Sequence, residues 1–171
     1  MEFTLRRCGL GDENALSLIA RATILETYPG LSNGEDIYLY VTHELGPDEF
    51  REHLAREDAA VWALETEPGK AMVGYALVHR AESASELELH RLYIFYRFHG
   101  LGLGKRLMEA ILLYAREQRF DLLTLRVHEL NEASIAFYER CGFKTVDAEA
   151  FHAGETDYRV LVMQRKVDAQ I

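Results

Sequence analysis

Cysteine is scarce in this chain. The two present, Cys8 and Cys141, lie far apart and lack metal-ligand spacing, which excludes a disulfide framework and a cysteine zinc site. Three prolines and no stretch rich in Pro, Gly or Ser leave no linker, and there is no repeat or low-complexity segment, so residues 1–171 read as one domain large enough to bury a core. Long apolar runs are missing as well. AAVWAL and AILLYA fall far short of the roughly 20 residues of a membrane helix, and MEFTLRRCGL has no signal-peptide core. The expectation is a soluble cytoplasmic protein with no membrane partner. An excess of positive charge is also lacking: the net charge is -9, and from Met1 to Lys70 there are 14 acidic against 6 basic side chains. Such a surface repels phosphate backbones and excludes nucleic acid as the expected partner, while it favours a cationic amine; solubility alone is the competing reason for the charge.

What is present is an alternation of strand-like and helical segments. EFTLRRC reads as a strand, and GDENALSLIARATILETY as a helix with Leu16, Ile19, Ala20, Thr23 and Ile24 on one face. Two short helical patterns follow, divided at Gly46 and Pro47. AAVWALE and AMVGYALVHR are strands joined by a hairpin at Pro68 and Gly69, and ELELHRLYIF is a third. Leu103, Leu107, Ile111 and Ala115 repeat every four residues, the mark of an amphipathic helix. DLLTLRVH is a strand, and NEASIAFYERC a helix capped by Asn131 and stopped at Gly142. TDYRVLVMQRKV is the last strand, able to pair within one chain or across a homodimer. The fold class is α/β (α+β): a mixed central sheet of about six to seven strands flanked by helices.

HGLGLGKRL, His99 to Leu107, sets three glycines between a strand and a helix. A helix start offers unpaired N–H groups and the positive end of the dipole, and glycine lets an anion approach the backbone. It is not a P-loop, since Arg106 follows Lys105 where Ser or Thr is needed, and Lys105 or Leu107 occupies the last glycine position of a dinucleotide fingerprint. A simple glycine turn is the alternative. LYIFYRFHGLGLGKRLM does resemble the acyl-CoA motif of the GNAT family of N-acetyltransferases, through His99, Gly100, Leu101, Gly102, Leu103, Gly104 and Leu107; His99 stands where the family usually has Gln or Arg. NEASIAFYERCGF resembles that family's second motif through Asn131, Ser134, Ile135, Phe137, Tyr138, Gly142 and Phe143. RATILETY and GEDIYLYVTHELGPDEFREHL are similar to the polyamine acetyltransferase-like branch.

The resemblance implies transfer of an acetyl group from acetyl-CoA, as acyl-donor substrate, to a primary amine of a small cation or a protein by direct attack on the thioester, without a metal. It implies pantetheine along the backbone of Leu92, Tyr93 and Ile94, phosphate contacts from His99 through Lys105, Asn131 on the pantetheine arm, and Tyr138 as proton donor to the thiolate. A phenol is protonated at neutral pH and suits that role, with core packing beside Phe137 as its alternative. Glu88, on the strand entering the glycine loop, is the candidate base; the alternative is a strand carboxylate paired with an arginine. Lys105 and Arg106 could add positive charge toward the phosphates. Among the seven histidines no sequence spacing suggests a metal-ligand cluster. A non-catalytic acyl-CoA-binding module of the same fold is the second function class.

Overall fold

The computed structural model describes residues 1–153 and 156–168. In chain order it runs β1 (Glu2–Arg7), α1 (Glu13–Thr27), α2 (Gly34–His43), α3 (Pro47–Ala55), β2 (Ala59–Glu67), β3 (Met72–Arg80), β4 (Glu86–Ile94), a single 3-10 turn (Tyr96–Phe98), α4 (Leu103–Glu117), β5 (Leu122–His128), α5 (Glu132–Arg140), β6 (Lys144–Ala153) and β7 (Thr156–Lys166). The seven strands form one sheet in the order β1-β2-β3-β4-β5-β7-β6. Among the described strands only β4 and β5 pair in parallel, through the α4 crossover; the other neighbours are antiparallel. No helix among the described residues is long and apolar enough to cross a membrane.

Both faces of the sheet are covered, which explains why β2 reads as an uninterrupted apolar run. Ala60, Trp62 and Leu64 face one way, into a core shared with Leu103, Leu107, Met108, Ile111 and Leu112 of α4 and Tyr138 of α5. Val61, Tyr75 and Leu77 face the other, against Leu16, Ala20 and Ile24 of α1, Ile37 and Val41 of α2, and Phe50 of α3. At roughly 1.5–3 kcal/mol for each large apolar side chain removed from water, the α4 stripe holds that helix to the sheet.

A departure from regular pairing in the middle of the sheet sets the geometry of β4. In the β3–β4 ladder Val78 pairs with Leu89 but Leu77 pairs with Arg91, so His90 is an extra residue, a β-bulge. The bulge switches the strand's parity. Leu87 and Leu89 belong to the α4 side before it, Leu92 and Ile94 after it. Beyond Leu89↔Leu125 the parallel ladder ends, although β4 continues to Ile94 and β5 to His128. The two strands therefore splay at the middle of the sheet.

β6 is not among the strands expected from the sequence. Its residues KTVDAEAFHA are largely exposed, its register shifts between Thr145 and Asp147, and it lies at the sheet edge, so neither apolar run nor clean alternation marks it. β7 pairs with β5 on one side and β6 on the other, both within the chain.

Candidate active site

A cleft of about 740 Å³ opens at the splay. Its walls come from both sides of the sheet: Glu26 and Thr27 at the end of α1, Leu92 to Ile94 of β4, the loop from His99 into α4, and Asn131, Phe137, Tyr138 and Cys141 around α5. The β4 segment from His90 to Ile94 has no strand partner on its β5 side, leaving main-chain groups available to an extended ligand.

The glycine loop closes one end. Gly100 and Gly102 have φ of 77° and 75°, a left-handed backbone that side chains other than glycine adopt at a cost, and Gly102 is the N-cap of α4. The first turn bond of α4 is donated by Arg106 N to Gly102 O, so the N–H groups of Leu103, Gly104 and Lys105 precede the helical ladder. Gly104 is required for a different reason. A Cβ there would come within 3.1 Å of the Phe137 ring in the opposite wall. These features fit an anionic group at the helix start and a slender chain running along β4.

His99, which stands where the resemblance expects Gln or Arg, ties the loop to the sheet. Its Nε2 donates to the carbonyl of Ile94 at 2.8 Å, tying the loop to the end of β4. A neutral bond of this kind contributes about 0.5–1.5 kcal/mol. His99→Ala is therefore expected to weaken coenzyme A binding up to about tenfold, and His99→Gln, which retains a donor, to stay within about threefold in calorimetric titration.

Asn131 caps α5, its side-chain oxygen accepting from Ser134 N at 3.2 Å, while also lining the cleft. Tyr138 is only 8% exposed and packs against Phe137 and Phe143. Burial pushes its phenol well above the ordinary tyrosine range, so the proton stays on. Burial likewise raises the Cys141 thiol, so this cleft-lining sulfur is not an activated nucleophile. Tyr93, on the α1 side, meets Tyr28 hydroxyl to hydroxyl at 3.3 Å.

Of the residues marked in the sequence, Leu92, Tyr93, Ile94, His99, Gly100, Gly102, Leu103, Gly104, Lys105, Asn131 and Tyr138 all line this one cleft. Leu101 does not: held between two left-handed glycines at the loop tip, it is 57% exposed. Glu88 is not in the cleft wall either. It lies on β4 before the bulge and takes an ion pair from Arg126 Nη1 at 3.1 Å. Arg106 is turned to β1, donating twice to Phe3 O at 3.1 Å, and supplies no charge to the loop; Lys105 does line it. Arg140, at the end of α5, joins the wall without having been singled out in the sequence.

A sheet split between β4 and β5, with helix-start amides on one wall and a buried phenol on the other, defines an acyl-CoA-dependent N-acetyltransferase. Residues 27–143 match the acetyltransferase (GNAT) family, and the chain belongs to it. It is 29% identical over 150 residues to an uncharacterised N-acetyltransferase of Mycobacterium bovis, covering 86% of this chain and 94% of that one. With the uncharacterised N-acetyltransferase YjgM of Escherichia coli it shares 27% over 161 residues, 94% of this chain and 93% of the other. The crystal structure of the PaiA N-acetyltransferase of Thermoplasma acidophilum in complex with coenzyme A has the same fold, with a TM-score of 0.82 at 21% identity, covering 97% and 99% of the two chains.

Proposed function

We propose that the chain transfers the acetyl group of acetyl-CoA to the primary amine of a small cationic acceptor such as a polyamine. An amino group on a protein is the second acceptor class. The observation that carries the reading is the splay itself. Tyr138 belongs to the core on the α4–α5 side, Glu88 and Tyr93 face the α1–α3 side, and the gap between β4 and β5 joins the two. Donor and acceptor can then approach from opposite faces of the sheet.

Bound in this cleft, acetyl-CoA supplies an electrophilic thioester carbonyl and a sulfur leaving group. The chain's residues hold and move the protons. Main-chain groups of β4 from Leu92 to Ile94 align the arm, and the amides at the start of α4 hold the phosphates. As the amine nitrogen bonds to the carbonyl carbon, its proton passes through water to Glu88. As the C–S bond breaks with its electron pair on sulfur, Tyr138 Oη delivers the proton that makes the thiol. The ion pair from Arg126 orients Glu88.

The acceptor class is supported by the acidic first part of the chain. Glu26 lines the cleft with one oxygen accepting from Tyr96 N at 3.0 Å, Glu35 is exposed at the start of α2, and Asp36 is buried, held by the Tyr158 hydroxyl at 2.7 Å. A thiol-release assay with acetyl-CoA and a panel of amines tests the reading. Turnover of a polyamine is expected to fall with added salt several-fold more steeply than that of an uncharged amine analogue, because screening acts on the cation. Equal salt sensitivity would assign these carboxylates to solubility, and no thiol release with any amine would leave an acyl-CoA-binding module.

A further inference from the structure

Three histidines separated in sequence meet on the α3 side of the sheet. The ring centres of His79 (β3) and His90 (the β4 bulge) are 5.0 Å apart, and His53 of α3 lies 5.6 Å from His90 and 6.3 Å from His79. Glu88 is the cross-strand partner of His79, and one ligand atom each from His79, Glu88 and His90 fall within 4.8 Å of one another. We propose that His79, Glu88 and His90, with His53 as fourth donor, bind a divalent transition-metal ion of the zinc class.

The geometry suits such an ion. With a metal–nitrogen distance of about 2.0–2.1 Å, an imidazole centre sits about 3.2 Å from the metal, and two rings on a tetrahedral ion are about 5 Å apart. His79–His90 and His53–His90 match this spacing. Ligand atoms on such an ion are about 3.3 Å apart, so rotations that draw the His79, Glu88 and His90 atoms in by up to about 1.5 Å bring these three to ligand spacing.

The ring nitrogens are arranged for ligation too. His79 Nδ1 donates to the Arg80 carbonyl at 3.1 Å, which leaves the Nε2 lone pair for a metal and fixes the ring, as the outer hydrogen bond of a metal-bound histidine does. His53 is only 9% exposed, and neither of its ring nitrogens makes a hydrogen bond; Nε2 merely lies 3.3 Å from Glu49 Oε1. A buried imidazole that makes no hydrogen bond is costly unless something further binds it. Two or three imidazoles with one carboxylate select zinc and its neighbours over magnesium or calcium. The adjacent cation Arg91 is directed to the Glu44 carbonyl at 3.3 Å and over the Phe50 ring. An ion here ties α3 to the bulge and draws Glu88 away from Arg126, so an occupied site withholds the carboxylate that serves as base in the proposed transfer and an empty one provides it.

The inference stands apart from the choice of acceptor and is tested by binding alone. Untagged protein freed of metal is titrated with Zn2+ by calorimetry and with Co2+ by visible absorption. The expected result is one ion per chain and, with cobalt, the strong absorption of a four-coordinate site. Affinity should drop at least tenfold in His79→Gln and in His90→Gln, and be unchanged in His43→Ala, an exposed histidine of α2. Circular dichroism of the metal-free variants verifies that they fold. Absence of stoichiometric binding by the wild type, the weak absorption of hydrated cobalt, or undiminished binding in a folded His79→Gln/His90→Gln double variant overturns the proposal.

Discussion

Replacing Tyr138 by phenylalanine is expected to lower turnover by about 10²-fold or more while coenzyme A affinity stays within about threefold. The substitution keeps the ring and its packing against Phe137 and Phe143, and removes only the oxygen that can protonate the leaving sulfur. Burial holds the phenol protonated well past the ordinary tyrosine range, so the alkaline side of the rate profile should report another group. Single-turnover kinetics separate chemistry from product release. A folded phenylalanine variant that performs the chemical step at the wild-type rate would show that the thiolate leaves unassisted and that Tyr138 serves only the core.

Gly74→Ala should have the largest effect on the fold near the site. Gly74 pairs with Ile94 across β3 and β4, and an added Cβ would stand 2.8 Å from both Ile94 Cγ1 and the Tyr93 carbonyl oxygen. The carbonyl belongs to the backbone of the cleft wall and cannot simply rotate away. A loss of about 1–3 kcal/mol is expected, a fall in Tm of several degrees for a chain of this length, together with weakened coenzyme A binding as the end of β4 shifts. Ile94→Ala in the same background should recover only part of the loss, since it removes one clash and leaves the other. Full recovery would locate the strain in the side chain, and an unaltered Tm in Gly74→Ala itself would show that β3 and β4 part without cost.

The position of Gly74 illustrates how far the primary structure reaches. Its neighbours in sequence, Val73 and Tyr75, mark a strand and nothing more. The two atoms that stand closest to a Cβ there, one side-chain and one backbone, belong to residues some twenty positions away, and they are brought close by the β3–β4 ladder.

The same division runs through the site. The stripe Leu103, Leu107, Ile111 and Ala115, the Asn131 cap and the Gly142 stop are local patterns of period and backbone conformation, and the chain carries them openly. With the strand order they suffice for the mixed sheet, and the two motif resemblances for the wall residues His99, Gly100, Gly102, Leu103, Gly104 and Tyr138, though not for the outward turn of Leu101. The sequence by itself therefore determined the fold class, the family and most of the cleft. Only the tertiary structure decided that His99 bonds Ile94, that Arg106 turns to β1, that Glu88 pairs with Arg126, and that His53, His79 and His90 share one face of the sheet. Each of these depends on register, and a single extra residue at His90 reverses which side chains of β4 face which helix layer, a change of parity that no local periodicity records.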